Sequence, residues 1–211
     1  MGRCAAERGV VNVERRLGIL GGSFNPPHVG HLMIASDTCA ILGLEKVLFV
    51  PAANPPHKPV EADVSAAERL EMTRLAVRGD ERFAVSSVEI DGGLTYSVET
   101  VAEIQRQWAD YWLFFILGSD SLLQFGSWHR PREILELCAL AVALRPGDDS
   151  HAVDQEAARW GREKVTVVPT TVVSVSSSEI RGRVRSGKPV RYLVPEPVER
   201  YITEHRLYGS T

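Results

Sequence analysis

A short apolar run, Leu17-Gly18-Ile19-Leu20, passes directly into the string GGSFNPPHVGHL, Gly21 to Leu32, and then into MIASDTCAIL. A strand, a glycine-rich turn and a helix, in that order, is how an α/β protein presents backbone N–H groups to a phosphate. Neither the GxGxxG dinucleotide fingerprint nor the Walker A spacing occurs in this stretch, so the turn is of another kind. The rest of the chain is therefore read for what it adds to a nucleotide phosphate site.

Apolar strand-like runs alternate with amphipathic or capped helical segments, the pattern of a parallel sheet wrapped by helices. Strands are expected at Leu17–Leu20, Lys46–Val50, Phe83–Val88, Trp112–Leu117, Leu140–Leu144 and Val165–Val168. Helices are expected near Gly30–Leu42, from the Ser65–Glu68 capping box to Arg78, and over Val98–Trp108, Arg132–Leu137, Ala152–Arg162, Ser176–Ser186 and Pro197–His205. The expected fold is a Rossmann-like doubly wound parallel sheet flanked by helices, with a C-terminal helical segment and the site at the carboxyl edge beside the first strand.

At 211 residues the chain suits one well-cored domain, residues 17–211, preceded by an expected disordered extension, residues 1–16, within which Val10, Val11 or Val13 is a candidate alternative start. A net charge of -3 argues against a broad basic nucleic-acid face. Without a run of about 18 apolar residues no membrane span is expected. Cys4, Cys39 and Cys138 lack metal-ligand spacing and read as free thiols of a reducing cytoplasm. No nucleic-acid or membrane partner is expected, and homo-oligomerisation stays open.

His28 and His31, three residues apart at a helix start, share one face and can reach one phosphate group. Gly30 has no side chain to block the approach, Gly21 and Gly22 permit a tight backbone path, Pro26 and Pro27 stiffen the turn, and Ser23 adds a hydroxyl. A second anion cradle is expected at Ser176-Ser177-Ser178-Glu179, another capping box, with Arg181 in the first turn able to lay a guanidinium fork across a polyphosphate. Asp120, after a strand at its carboxyl end, can accept from ribose hydroxyls or cap the next helix. Lys58, beside His57 in a proline-rich loop, is either a phosphate cation or a solvated charge. Trp128 is a stacking platform or a core ring.

The string GGSFNPPHVGHL resembles the HxGH signature of the nucleotidylyltransferase superfamily. More narrowly, it is similar to the GG(T/S)F(D/N)PxHxGH opening of bacterial nicotinate-nucleotide adenylyltransferases. PAANPPHKP (51–59), TYSVETV (95–101), FILGSDSLLQFGSWHR (115–130) and SVSSSEIRGRVRSGKPVRYLVPEPVERYITEHRLY (174–208) resemble further segments of that family, so the likeness covers about residues 17–208. Asn25, Ser23 and Ser178 depart from the commoner aspartate, threonine and threonine. The loss of charge at Asn25 leaves in doubt any direct role of that position in metal binding.

The resemblance implies transfer of the adenylyl group of ATP to nicotinate mononucleotide, with Mg²⁺ accompanying ATP. His28, His31 and Arg181 are the implied catalytic residues. Gly21, Gly22, Ser23, Phe24, His28, Gly30, His31, Gly118, Asp120, Ser177, Ser178 and Arg181 would hold ATP. Lys58, Ser97, Val98, Trp128 and His129 would hold the mononucleotide, whose pyridine ring stacks on the tryptophan and whose carboxylate takes backbone N–H groups. No residue is assigned as a metal ligand. Competing readings are a pantetheine-phosphate adenylyltransferase, which shares HxGH in a shorter chain, and a non-catalytic nucleotide sensor.

Overall fold

The computed structural model describes residues 14–53, 64–144, 147–171 and 173–209. Six parallel strands form one sheet: β1 (Arg15–Gly22), β2 (Lys46–Pro51), β3 (Phe83–Val85), β4 (Tyr111–Gly118), β5 (Ala139–Leu144) and β6 (Val165–Pro169). Their spatial order is β3-β2-β1-β4-β5-β6, so the chain winds outward twice from a centre between β1 and β4. That reversal opens a crevice at the carboxyl ends of β1 and β4.

Side chains alternate across the sheet with the two-residue period of strands. Leu17, Ile19, Leu48, Val50, Leu113, Phe115, Leu117, Leu140 and Val142 face one apolar layer, which α4 (Ser97–Gln107), α6 (Pro131–Leu137) and α7 (Ser150–Trp160) complete. Leu20, Val47, Phe49, Phe114, Ile116, Ala139 and Ala141 face the other, which α1 (Val29–Leu42) covers with Ala35 and Cys39. A third cluster joins α2 (Ala66–Val77), α8 (Ser177–Arg185) and α9 (Glu196–Glu204) through Met72, Ile180, Val198 and Ile202. At the sheet centre, a Cβ on Gly18 would fall 2.8 Å from the Leu44 side-chain end and 2.9 Å from that of Ile116, so any larger residue would force these core side chains to shift.

Two differences from the sequence expectation concern boundaries. The first strand begins at Arg15, two residues into the expected extension. Arg15 forms a two-pronged ion pair with Glu45 at 2.8 and 2.9 Å, and Arg16 donates to the Leu42 carbonyl at 3.0 Å. β3 stops at Val85 instead of Val88, because Val88–Gly92 turns into a short helix, α3, ended by Gly93 at φ 63°. Val88 and Ile90, spaced by two, look like a continuing strand in sequence; the left-handed glycine that closes the turn decides for the helix. A second short helix not foreseen, α5 (Ser119–Leu123), starts where β4 ends. Among the described residues no helix is long and apolar enough to cross a membrane.

Candidate active site

A cavity of about 690 Å³ opens at the carboxyl ends of β1 and β4. Its lining brings together Ser23, Asn25, His28, Gly30 and His31 from the first motif and Ser176, Ser177, Ser178, Glu179 and Arg181 from the last, with Gly118 and Asp120 beside them. Two segments about 150 positions apart in sequence thus form one concave surface.

His28 is the extended N-cap residue of α1 and is 8% exposed. Its main-chain N–H donates to Nδ1 of His31 at 3.1 Å, and the two imidazoles stack with centroids 3.7 Å apart. Because Nδ1 of His31 is the acceptor, a neutral ring carries its proton on Nε2. Phe24 packs edge-on against His31 at 5.0 Å and is fully buried, so its side chain orients the histidine and cannot itself line a ligand surface. A Cβ on Gly30 would come within 3.1 Å of His28 Nδ1 and 3.3 Å of Val175, so the glycine is demanded by the histidine ring as much as by ligand access.

The second motif is bound to the first. Ser177 Oγ donates to the Pro26 carbonyl at 2.9 Å, and Arg181 donates to the Asn25 carbonyl at 2.9 Å and to Ser178 Oγ at 3.3 Å. Ser176 caps α8 by accepting from the Glu179 N–H at 3.1 Å. The reciprocal half of the expected capping box is not made, since the Glu179 carboxylate accepts from Arg183 one turn on, at 3.3 Å. Asn25 keeps its amide oxygen for the hydroxyl of Tyr208, at 2.7 Å, both residues being buried. Burial raises the Tyr208 phenol above its ordinary value, so it stays a donor at neutral pH. Position 25 is thus a structural anchor, held by a residue near the C-terminal end that no local signal marks.

Of the residues expected to hold the mononucleotide, Ser97, Val98, Trp128 and His129 lie outside that cavity's lining. Tyr96 and His129 stack with centroids 4.2 Å apart, which brings the open N-terminal end of α4, with Ser97 and Val98, beside the Trp128-His129 segment. Trp128 is half-buried, its ring edge-on to Phe115 at 5.9 Å and tilted on Phe125 at 5.3 Å, so part of it serves the core. Lys58 and His57 fall outside the described residues. Gly21 and Gly22 end β1, with Gly22 accepting from the Ala52 N–H at 2.9 Å, and they are absent from the cavity lining. Asp120 follows the Gly118 N-cap of α5, makes no cap and lines the cavity.

Among the described residues no group of three or more His, Cys, Asp or Glu is placed to hold a metal ion. The carboxylates of Asp120, Asp148 and Glu179 line the cavity, and the last is taken up by Arg183. Asp148 is fixed by a hydrogen bond from Ser119 Oγ.

A family model described as cytidylyltransferase-like matches residues 19–183. The "Probable nicotinate-nucleotide adenylyltransferase" of Geobacter metallireducens is 41% identical over 211 residues, covering 92% of this chain and 98% of the relative. The equally named protein of Salinibacter ruber is 42% identical over 196 residues, covering 92% and 98%. Among solved structures, the fold matches a Plasmodium falciparum nicotinic acid mononucleotide adenylyltransferase complexed with NaAD, with a TM-score of 0.78 at 16% identity over 94% of this chain and 99% of that one. Conserved over nearly its full length with relatives of one name, the chain belongs to the nicotinate-nucleotide adenylyltransferase family.

Proposed function

We propose that this chain transfers the adenylyl group of ATP to nicotinate mononucleotide, giving deamido-NAD and pyrophosphate. The observation that carries the reading is the joining of the HxGH turn to the Ser176–Arg181 segment around one cavity at the sheet's reversal point. A phosphate oxygen of the mononucleotide attacks the α-phosphorus of ATP, and the bond from that phosphorus to the β,γ-pyrophosphate oxygen breaks. The nucleophile is already an anion, so no protein base or covalent intermediate is needed.

What the reaction requires is in-line positioning and neutralisation of charge on the attacked and leaving phosphates. In this reading His28 and His31, the latter with its proton on Nε2, donate to the phosphate chain, and the α8 N-terminus and Arg181 add further donors and positive charge. Asp120 and Asp148 would meet a Mg²⁺ carried on the nucleotide, which adds further neutralisation. The acceptor is read onto the α4 N-terminus, Trp128 and His129, with Lys58 as a phosphate cation, and the reaction onto the cytoplasm.

Pyrophosphate release from ATP with nicotinate mononucleotide, nicotinamide mononucleotide or phosphopantetheine as acceptor tests the reading. Nicotinate mononucleotide is expected to be used with the highest kcat/KM. Preference for phosphopantetheine, or nucleotide binding without turnover of any acceptor, overturns it.

A further inference from the structure

Arg69 is the largest fully buried side chain of the molecule's described residues, at 1% exposure in the first turn of α2. A buried guanidinium is costly unless its N–H groups are used. Here one terminal nitrogen donates to the Ser23 carbonyl at 2.9 Å and the other to the Ala53 carbonyl at 3.1 Å. Ser23 follows β1 and lines the cavity, whereas Ala53 follows β2. The fork therefore spans the exits of two neighbouring strands.

The main chain of Ala53 is also held at its N–H, on the preceding peptide group. Its N–H donates to the Glu89 carboxylate, which also accepts from Thr100 Oγ1 at 2.8 Å. Thr100 is buried in the first turn of α4, three residues after Ser97. Arg69 and Glu89 attract each other, and burial penalises the charged form of each. Neither is itself part of the cavity lining, which Arg69 reaches only through the Ser23 carbonyl, and neither is accounted for by the turn or by α8.

We infer that Arg69 and Glu89 are positioning residues that fix the Ser23 turn and the α4 N-terminus in one geometry through the main chain of Ala53 between them. This deepens the functional reading above and rests on it: the Ser23 end serves ATP, and the α4 end serves the pyridine mononucleotide. Both substrates must be held in line for transfer, so a clamp between their subsites acts on their relative placement. The distinguishing consequence is a split in the kinetic constants. Arg69 touches both exits and governs both substrates, whereas Glu89 reaches only Ala53 and α4 and governs the mononucleotide.

The test uses Arg69→Met, Arg69→Lys, Glu89→Gln and Thr100→Val in the full chain, with KM for each substrate measured at saturation of the other. Ala76→Gly serves as a control that weakens α2 without touching either strand exit. Glu89→Gln and Thr100→Val should raise KM for nicotinate mononucleotide by about tenfold and leave KM for ATP within about twofold, the loss expected of a charge-assisted hydrogen bond. Arg69→Met should raise both, and Arg69→Lys should recover only part, because a single ammonium cannot span both carbonyls. If Arg69→Met does not fold, Glu89→Gln, which keeps shape, carries the comparison. Unchanged KM values in folded variants, or the same rise in Ala76→Gly at an equal fall in Tm, overturn the clamp while leaving the activity intact. Absence of turnover with any mononucleotide in the unaltered protein overturns the functional reading, and with it the acceptor half of the clamp.

Discussion

The guanidinium of Arg181 donates to the main-chain carbonyl of Asn25 at 2.9 Å, across 156 positions of sequence. With Ser177 on the Pro26 carbonyl, it makes the C-terminal motif part of the scaffold of the histidine turn as well as part of the lining of its cavity. One side chain thus shapes the loop that it faces.

Arg181→Lys keeps the charge but cannot serve Asn25 and Ser178 together, because an ammonium lacks the planar fork. We expect kcat to fall on the order of tenfold for Arg181→Lys and at least a hundredfold for Arg181→Ala, the usual cost of a preorganised donor. Steady-state pyrophosphate release measures both. Equal rates for the lysine and wild-type proteins would show that the fork is unnecessary.

His31 has two separable duties. Nδ1 accepts the His28 N–H at the start of α1, which puts the proton of a neutral ring on Nε2, and the residue lines the cavity. His31→Ala should lose at least a hundredfold in kcat and about 1 kcal/mol of stability. His31→Asn places an oxygen near the Nδ1 position and should recover the stability without the turnover. Denaturant melts beside rates distinguish the two effects.

Gly30→Ala should spare the fold and harm the site. The added methyl meets the His28 ring at 3.1 to 3.2 Å and Val175 at 3.3 Å, so the imidazole must shift by a few tenths of an ångström. Displacements of this kind near reacting groups are costly, and kcat/KM for ATP is expected to fall by about tenfold or more. An alanine enzyme with normal efficiency would mean that His28 can move freely.

How much of this was legible beforehand depended on whether a signal was local. The strands announced themselves by apolar runs, and four of the six end within one residue of expectation at their carboxyl ends, where the site is built, while β1 runs two residues further, to Gly22. The two cradles were marked by a histidine pair and a serine run. By contrast, Arg69 in sequence is one charge on a helix, and nothing nearby in the chain says that α2 will bury it under two strand exits. Tyr208 is equally silent, since its partner Asn25 lies 183 positions away. Short α3 escaped because five residues offer too few repeats to separate a helical from a strand period.

The edge where β1 begins has its own acid response. Hydrogen bonds from Arg15 and Tyr111 hold the exposed Glu45 carboxyl down at about 2. Its folded value lies below its unfolded one, so this contribution to stability is present above the ordinary carboxylate range and lost as pH falls toward 2. Glu45→Gln should therefore lower stability slightly at pH 7 and less at pH 3. Denaturant titrations at the two pH values measure the difference, and an equal effect at both would remove Glu45 from the acid response.

The last strand of the sheet ends at Pro169, yet Ser177, Arg181 and Tyr208, which grip the histidine turn, all follow it. Chains emerge from the ribosome amino end first, and domains fold as their parts appear. A nascent chain paused after the sixth strand would hold a finished sheet with an unfinished nucleotide turn. Completion of the cavity is in this way a late event of synthesis, granted by residues that follow the sheet to a motif made before most of it.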